Sequence, residues 1–291
     1  MKFSPVSLLR HTASLAEGPC WHPEEQALYF TDIPAGRIWR FDPASGEAQI
    51  FHEGEITGGL TFQPDDGWVL FRKNDLAWLD AQGRLKATRK VELPGAERFN
   101  DVIADPIGRV YAGTIGIDRQ TGGLYRFDLE GGCQRLFQGT GISNGMAFSN
   151  CGHYFYWTCT TSRVIYRFDY TPETGGLSHR FCLHECKPNE GLPDGLTVDA
   201  QGNLWSARWG AGLIVILSPE GEKVEQIEFP ESNISSMTWG GAELRDLYVT
   251  SARIDGKPGV HDLFVVRNAG QGKPENRSRL SDIIHTVCTL A

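Results

Sequence analysis

The chain has 291 residues, a formal charge of −8, 22% charged and 40% hydrophobic residues. That is enough chain for a large core, with the composition of an ordinary soluble globular protein. The acidic balance argues against a nucleic-acid binder, which needs a basic face to neutralise phosphate.

The amino-terminal stretch "MKFSPVSLLRHTASLAEG" lacks the apolar segment of a signal peptide. The aliphatic run "LIVIL" at 213–217 is far too short to cross a bilayer. A cytoplasmic protein with no membrane association is expected. The seven cysteines (Cys20, Cys133, Cys151, Cys159, Cys182, Cys186, Cys288) form an odd, scattered set. Such a set fits reduced thiols better than a disulfide framework.

Taken in chain order, one short pattern recurs: "EGPCWHP" from 17, "GGLTFQP" from 58, "NDVIADP" from 100, "NGMAFSN" from 144, "DGLTVDA" from 194 and "SSMTWGG" from 235. The starts are 41, 42, 44, 50 and 41 residues apart. Each copy is followed by a turn and a second apolar run: "ALYFTD", "WVLFRK", "RVYAGT", "YFYWTC", "NLWSAR" and "DLYVTS". A third run follows in most units, as in "WRFD" at 39 and "YRFD" at 125 and 166, and a weaker fourth precedes the next unit. Four short strands per unit of about 40–45 residues is the pattern of a propeller blade. Six units predict an all-β, six-bladed β-propeller occupying residues 1–291 as one domain.

In that fold the first strand of each blade lines the central channel, and its leading residue is one equivalent position repeated around the axis. Those six positions hold Glu17, Gly58, Asn100, Asn144, Asp194 and Ser235. Asn and Asp begin strands as turn formers, which explains any one position but not two carboxylates and two carboxamides converging on one axis. Converging carboxylates repel unless a cation lies between them. The donors at Glu17, Asn144, Asp194 and Asn100 are all oxygen, so one divalent cation is expected, Ca²⁺, Mg²⁺ or Mn²⁺ in preference to Zn²⁺. Too few protein ligands remain to close its shell, which leaves room for water and substrate.

At these residues the sequence resembles the family of senescence marker protein (regucalcin), gluconolactonase and luciferin-regenerating enzyme. The matching stretches are "LAEGPCW", "ERFNDVIADPIGRVYAGT", "GISNGMAFS", "GLPDGLTVDAQGNLW" and "LYVTSAR". The resemblance implies a metal-dependent hydrolase that opens a sugar lactone to the aldonic acid. It implies Glu17, Asn144 and Asp194 as metal ligands, and Arg98 and Asn100, from "RFND", as the substrate-contacting pair. A small-molecule sugar lactone is the partner implied, and no protein partner is. The loop "IGIDRQTGG" lacks the acidic lid residue of animal members, leaving Asp118 and Arg119 as candidate substitutes.

In that chemistry the metal polarises the lactone carbonyl and activates a water. Asp194 is the expected general base, and Arg98 the group that orients ring hydroxyls or steadies developing charge. Because "RFN" alternates, Arg98 and Asn100 are expected on one face. Two other classes compete: a calcium-binding propeller without turnover, and a related esterase or phosphotriesterase propeller. A bare buffer has no use for Arg98, and no His occupies an axial position to suit the paraoxonase-like group.

Three features are set aside. "GISNG" fits G-x-S-x-G around Ser143, but a nucleophile elbow needs a helix after it and β sequence follows here. "HRFCLHEC" puts Cys182, His184 and Cys186 at alternate positions of an edge strand, but with no second ligand pair it reads as two ordinary thiols. Arg72, Lys73 and Arg208 end second strands near the channel mouth, where surface charge is the commoner explanation.

Overall fold

The structure, a computed structural model, describes residues 3–11, 13–118, 120–253 and 261–280. Its strands form six four-stranded antiparallel sheets, the six blades of the expected propeller. The inner strands are Ala16–His22, Thr57–Phe62, Ala96–Ala104, Ser143–Phe148, Leu192–Val198 and Ile234–Gly240, in blades one to six. No helix among the described residues is long and apolar enough to cross a membrane.

Burial falls from axis to rim. Thr57–Phe62 and Ser143–Phe148 are buried at every residue, whereas the outer strands Glu47–Glu53 and Lys223–Glu228 are largely exposed. An outer strand has solvent along one edge and reads as alternating polar sequence. That is why the fourth run of each repeat is the weakest. Apolar clusters lie between neighbouring blades, such as Trp205, Ile214 and Ile216 against Met237, Trp239 and Phe264.

Two features go beyond the repeat pattern. The outer strand of blade six is Pro5–His11, from the amino-terminal end, paired with His261–Val266. The ring is thus closed by strand pairing between its two ends. Beyond that last strand the chain crosses the base of the ring. There the Ala200 amide donates to the Gln271 carbonyl (2.7 Å), Lys273 Nζ to the Phe148 carbonyl (2.6 Å) and the Ser278 amide to the Phe62 carbonyl (2.9 Å). These contacts join blades five, four and two across the channel's lower end.

The cysteines follow the reduced-thiol expectation only in part. Cys20, Cys151, Cys159, Cys182 and Cys186 are free, but Cys133 is disulfide-bonded, and Cys288 lies outside the described residues. A count of cysteines carries no information on which pair the fold brings together.

Candidate metal centre and active-site cavity

Every inner strand breaks its pairing register at the repeated axial position: between Glu17 and Cys20, Thr57 and Gly59, Phe99 and Val102, Ser143 and Met146, Pro193 and Leu196, and Ile234 and Ser236. A bulge re-aims a side chain that strict alternation would send to a blade face. The glycines beside the axial residues make room for it. Gly18 takes φ +52, and a Cβ on Gly145 would lie 2.3 Å from the Leu196 amide nitrogen.

The re-aimed side chains meet in a cavity of about 270 Å³. Blades one, three, four and five line it by one repeated scheme. The axial residues Glu17, Asn100, Asn144 and Asp194 stand two residues after Leu15, Arg98, Ile142 and Leu192. Ile33, Ile115, Thr160 and Trp209, at the far ends of the second strands, complete it. The other two axial positions serve packing. A Cβ on Gly58 would strike the Phe99 carbonyl, and Ser235 Oγ donates to the Ala16 carbonyl (2.7 Å) across the seam between blades six and one.

Hydrogen bonds order the polar side of the cavity. Arg98 Nη1 donates to Asn100 Oδ1 (2.7 Å) and to the Phe99 carbonyl (2.8 Å). Asn100 Nδ2 donates to the Ser143 carbonyl (3.0 Å) and to Asn144 Oδ1. Asn144 Nδ2 donates to Thr160 Oγ1 (2.7 Å), whose hydroxyl donates to the Pro193 carbonyl (2.7 Å). Having given its proton to Pro193, Thr160 only accepts from Asn144. The Asn144 oxygen is therefore the end turned to the axis. The Gly18 amide donates to Glu17 Oε2 (3.1 Å). Asp194 Oδ1 is buried without a hydrogen-bond partner.

A third buried carboxylate, Asp101, lines the channel rather than this cavity but lies close enough for its charge to act on Glu17 and Asp194. Burial, then the charge of Asp101, pushes Glu17 well above the usual carboxylate range. Burial, then Glu17 and Asp101, does the same to Asp194. Burial raises Asp101 to about 7, with Arg98 pulling it back. Three carboxylates against the one guanidinium of Arg98 leave two negative charges, the charge a divalent cation cancels. The orphaned Asp194 oxygen and the all-oxygen donor set fit such an ion.

All five residues singled out in the sequence thus line one cavity. Asn100 Oδ1 accepts one hydrogen bond from Arg98, as Asn144 Oδ1 accepts one from Asn100 Nδ2. Thr160, Asp101 and Trp209 escaped the sequence reading. Thr160 lies in the unremarkable "TCTT", and nothing in that string tells which Thr meets Asn144.

The set-aside features resolve as follows. Ser143 is fully buried, its Oγ accepting from Trp157 Nε1 (2.7 Å), inside a strand. The strand Gly176–Glu185 is an outer one, with a register shift that separates Cys182 from His184. The surface-charge expectation holds for Lys73, which is exposed, and is wrong for two residues. Arg72 is buried in a paired hydrogen bond to Asp75 (2.6 and 2.8 Å), and Arg208 is fully buried, donating to Cys186 Sγ. Their partners, Asp75 from the next strand and Cys186 from the segment after blade four, lie outside the strand being read. Asp118 is exposed, accepting from the Gln120 amide (2.7 Å) and lining no part of the cavity, and Arg119 lies outside the described residues.

One further acidic cluster, His22 with Glu24 and Asp66, stands at the opposite end of the first inner strand. There Arg277 pairs with both carboxylates, and His22 Nδ1 accepts from the Glu25 amide (3.3 Å), which puts the proton on Nε2. That arrangement already carries its cation.

Fold and cavity define a class: a six-bladed propeller with oxygen donors gathered on its axis. The chain belongs to the SMP-30/Gluconolactonase/LRE-like family, whose model matches residues 15–253. It is 39% identical over 276 residues to Pentonolactonase XacC of Haloferax volcanii, covering 91% of this chain and 94% of that protein. It is 36% identical over 252 residues to the 6-deoxy-6-sulfogluconolactonase of Pseudomonas putida, covering 84% and 86%. Among solved structures, a calcium-binding regucalcin from Agrobacterium tumefaciens superposes with a TM-score of 0.88 at 25% identity, over 96% of this chain and 98% of that one.

Proposed function

We propose that the protein is a divalent-metal-dependent hydrolase that opens a sugar lactone to its aldonic acid. The observation that carries this reading is the buried, unpartnered Asp194 Oδ1 beside Glu17 and the Asn144 carboxamide in a cavity of substrate size. The lactonase names of the relatives support the substrate class.

Glu17, Asn144 and Asp194 hold the cation, which supplies Lewis acidity toward a carbonyl oxygen. Asp194 takes a proton from the attacking water as its oxygen bonds to the lactone carbonyl carbon. The ring ester C–O bond then breaks, and the proton passes from Asp194 to the departing ring oxygen. Arg98, set by its bond to Asn100, meets ring hydroxyls from blade three. Asp101 remains below as a third charge that favours occupancy by a cation.

Thr160 holds the Asn144 oxygen toward the ion. Thr160→Val is expected to weaken metal binding by about 10- to 100-fold, as loss of an orienting partner does. Isothermal titration with Ca²⁺, Mn²⁺ and Zn²⁺ measures this, and Thr160→Ser should restore the affinity.

The regucalcin likeness supports the second reading, a calcium-binding propeller without turnover. A panel of aldonolactones followed with a pH indicator, metal supplied, decides between them. Acid release well above the spontaneous rate is expected, and none across the panel would leave the binding reading.

A further inference from the structure

We propose that Trp209 is the platform on which the substrate's ring lies, so that this site selects cyclic esters presenting a flat face of C–H bonds. The inference rests on the lactonase reading and adds a specificity-determining residue to it.

The chain has eight tryptophans. Trp21, Trp39, Trp68, Trp78, Trp157, Trp205 and Trp239 all pack into the apolar clusters between blades. Trp209 belongs to none of these clusters. It is half-buried and, among the described residues, is the one aromatic residue in the cavity lining. A partly exposed indole facing a cavity leaves apolar surface that the fold does not cover.

Its backbone is held on both sides, paired with Leu192 in its own blade and bridged to Asn233 of blade six. The point from which the side chain springs is therefore fixed before a ligand arrives. Its neighbours divide the labour around the cavity. The polar groups come from the axis, Arg98 and Thr160; aliphatic side chains from all four blades make up the rest of the lining, and Trp209 beside Leu192 adds a flat aromatic surface on the blade-five side.

A sugar lactone has the matching anisotropy. Hydroxyls ring its edge, and its face offers polarised C–H bonds to the electron-rich face of an indole. Lying on Trp209, it turns the edge toward Arg98 and the carbonyl toward the donors on the axis. An open-chain ester of equal polarity offers no such face, so the wall discriminates by shape.

The test uses the full-length, metal-loaded protein with glucono-1,5-lactone and a pentono-1,4-lactone. Trp209→Ala is expected to raise KM by about 10- to 100-fold, with kcat within about threefold, as loss of ground-state and transition-state binding together requires. Trp209→Phe should stay within about threefold of wild type in KM, because it keeps an aromatic face. Metal affinity, titrated separately, should be the same in all three. An unchanged KM in the alanine variant would overturn the proposal. So would a phenylalanine variant as impaired as the alanine one, or a KM rise that tracks a loss of metal affinity. A wild-type protein that turns over neither lactone would instead overturn the lactonase reading and take this proposal with it.

Discussion

Asp194→Asn is expected to lower kcat by about 10²- to 10⁴-fold even when metal is saturating, the usual contribution of a positioned general base. The substitution keeps one oxygen donor and the side chain's shape but removes the charge and the proton acceptor. Metal affinity should fall as well, so rate and occupancy must be measured together across a metal titration. Glu17→Gln is the control, since it removes a charge from the same cluster without removing a base. Saturating metal should therefore return most of its kcat. Arg98→Ala should keep metal affinity near wild type and raise KM. If Asp194→Asn recovers the wild-type kcat once the site is filled, Asp194 is a ligand only and the base lies elsewhere.

Exhaustive chelation should abolish turnover, and Ca²⁺, Mg²⁺, Mn²⁺ or Zn²⁺ should restore it to different degrees; full activity in protein shown by elemental analysis to be metal-free would falsify the mechanism. Stability offers a second readout with a definite sign. In the metal-free protein Glu17, Asp101 and Asp194 all have folded-state pKa values above their unfolded ones. Their contribution is fully favourable below the unfolded values of about 4 and is lost as pH rises through the folded ones, with Asp101 at about 7. These three groups therefore make metal-free protein less stable on going from about pH 5 to about pH 8. Bound metal reverses the trend, because protons compete with it for the same oxygens. At a thousandfold excess over Kd a ligand adds about 4 kcal/mol. The gap in Tm between loaded and metal-free protein should thus widen with rising pH. A gap that narrows instead would place the cation away from these carboxylates.

The sequence alone determined the blade count, the inner strands and the axial residues. Those follow from repetition, and a repeat is a statement along one dimension. Once six equivalent strands surround an axis, symmetry brings Glu17, Asn100, Asn144 and Asp194 together without further information. The bulges that aim them were readable only as glycines and small residues beside the axial positions, as in "EG", "NG" and "DG".

What the tertiary structure decided is the character of the walls and of the charges. Thr160 accepts from Asn144 within blade four but donates to Pro193 of blade five, so the orientation of Asn144 depends on how blade five packs on blade four. Arg72 and Arg208 looked like surface charges because a strand's own sequence does not record the neighbour that covers it. Ring closure by Pro5–His11 and the segment crossing the channel base join residues from opposite ends of the chain, which no local period encodes. Trp209 ends its strand as several other apolar residues do. Whether such a residue fills a core or faces a cavity is set by the space left between blades, and that space exists only in the assembled ring.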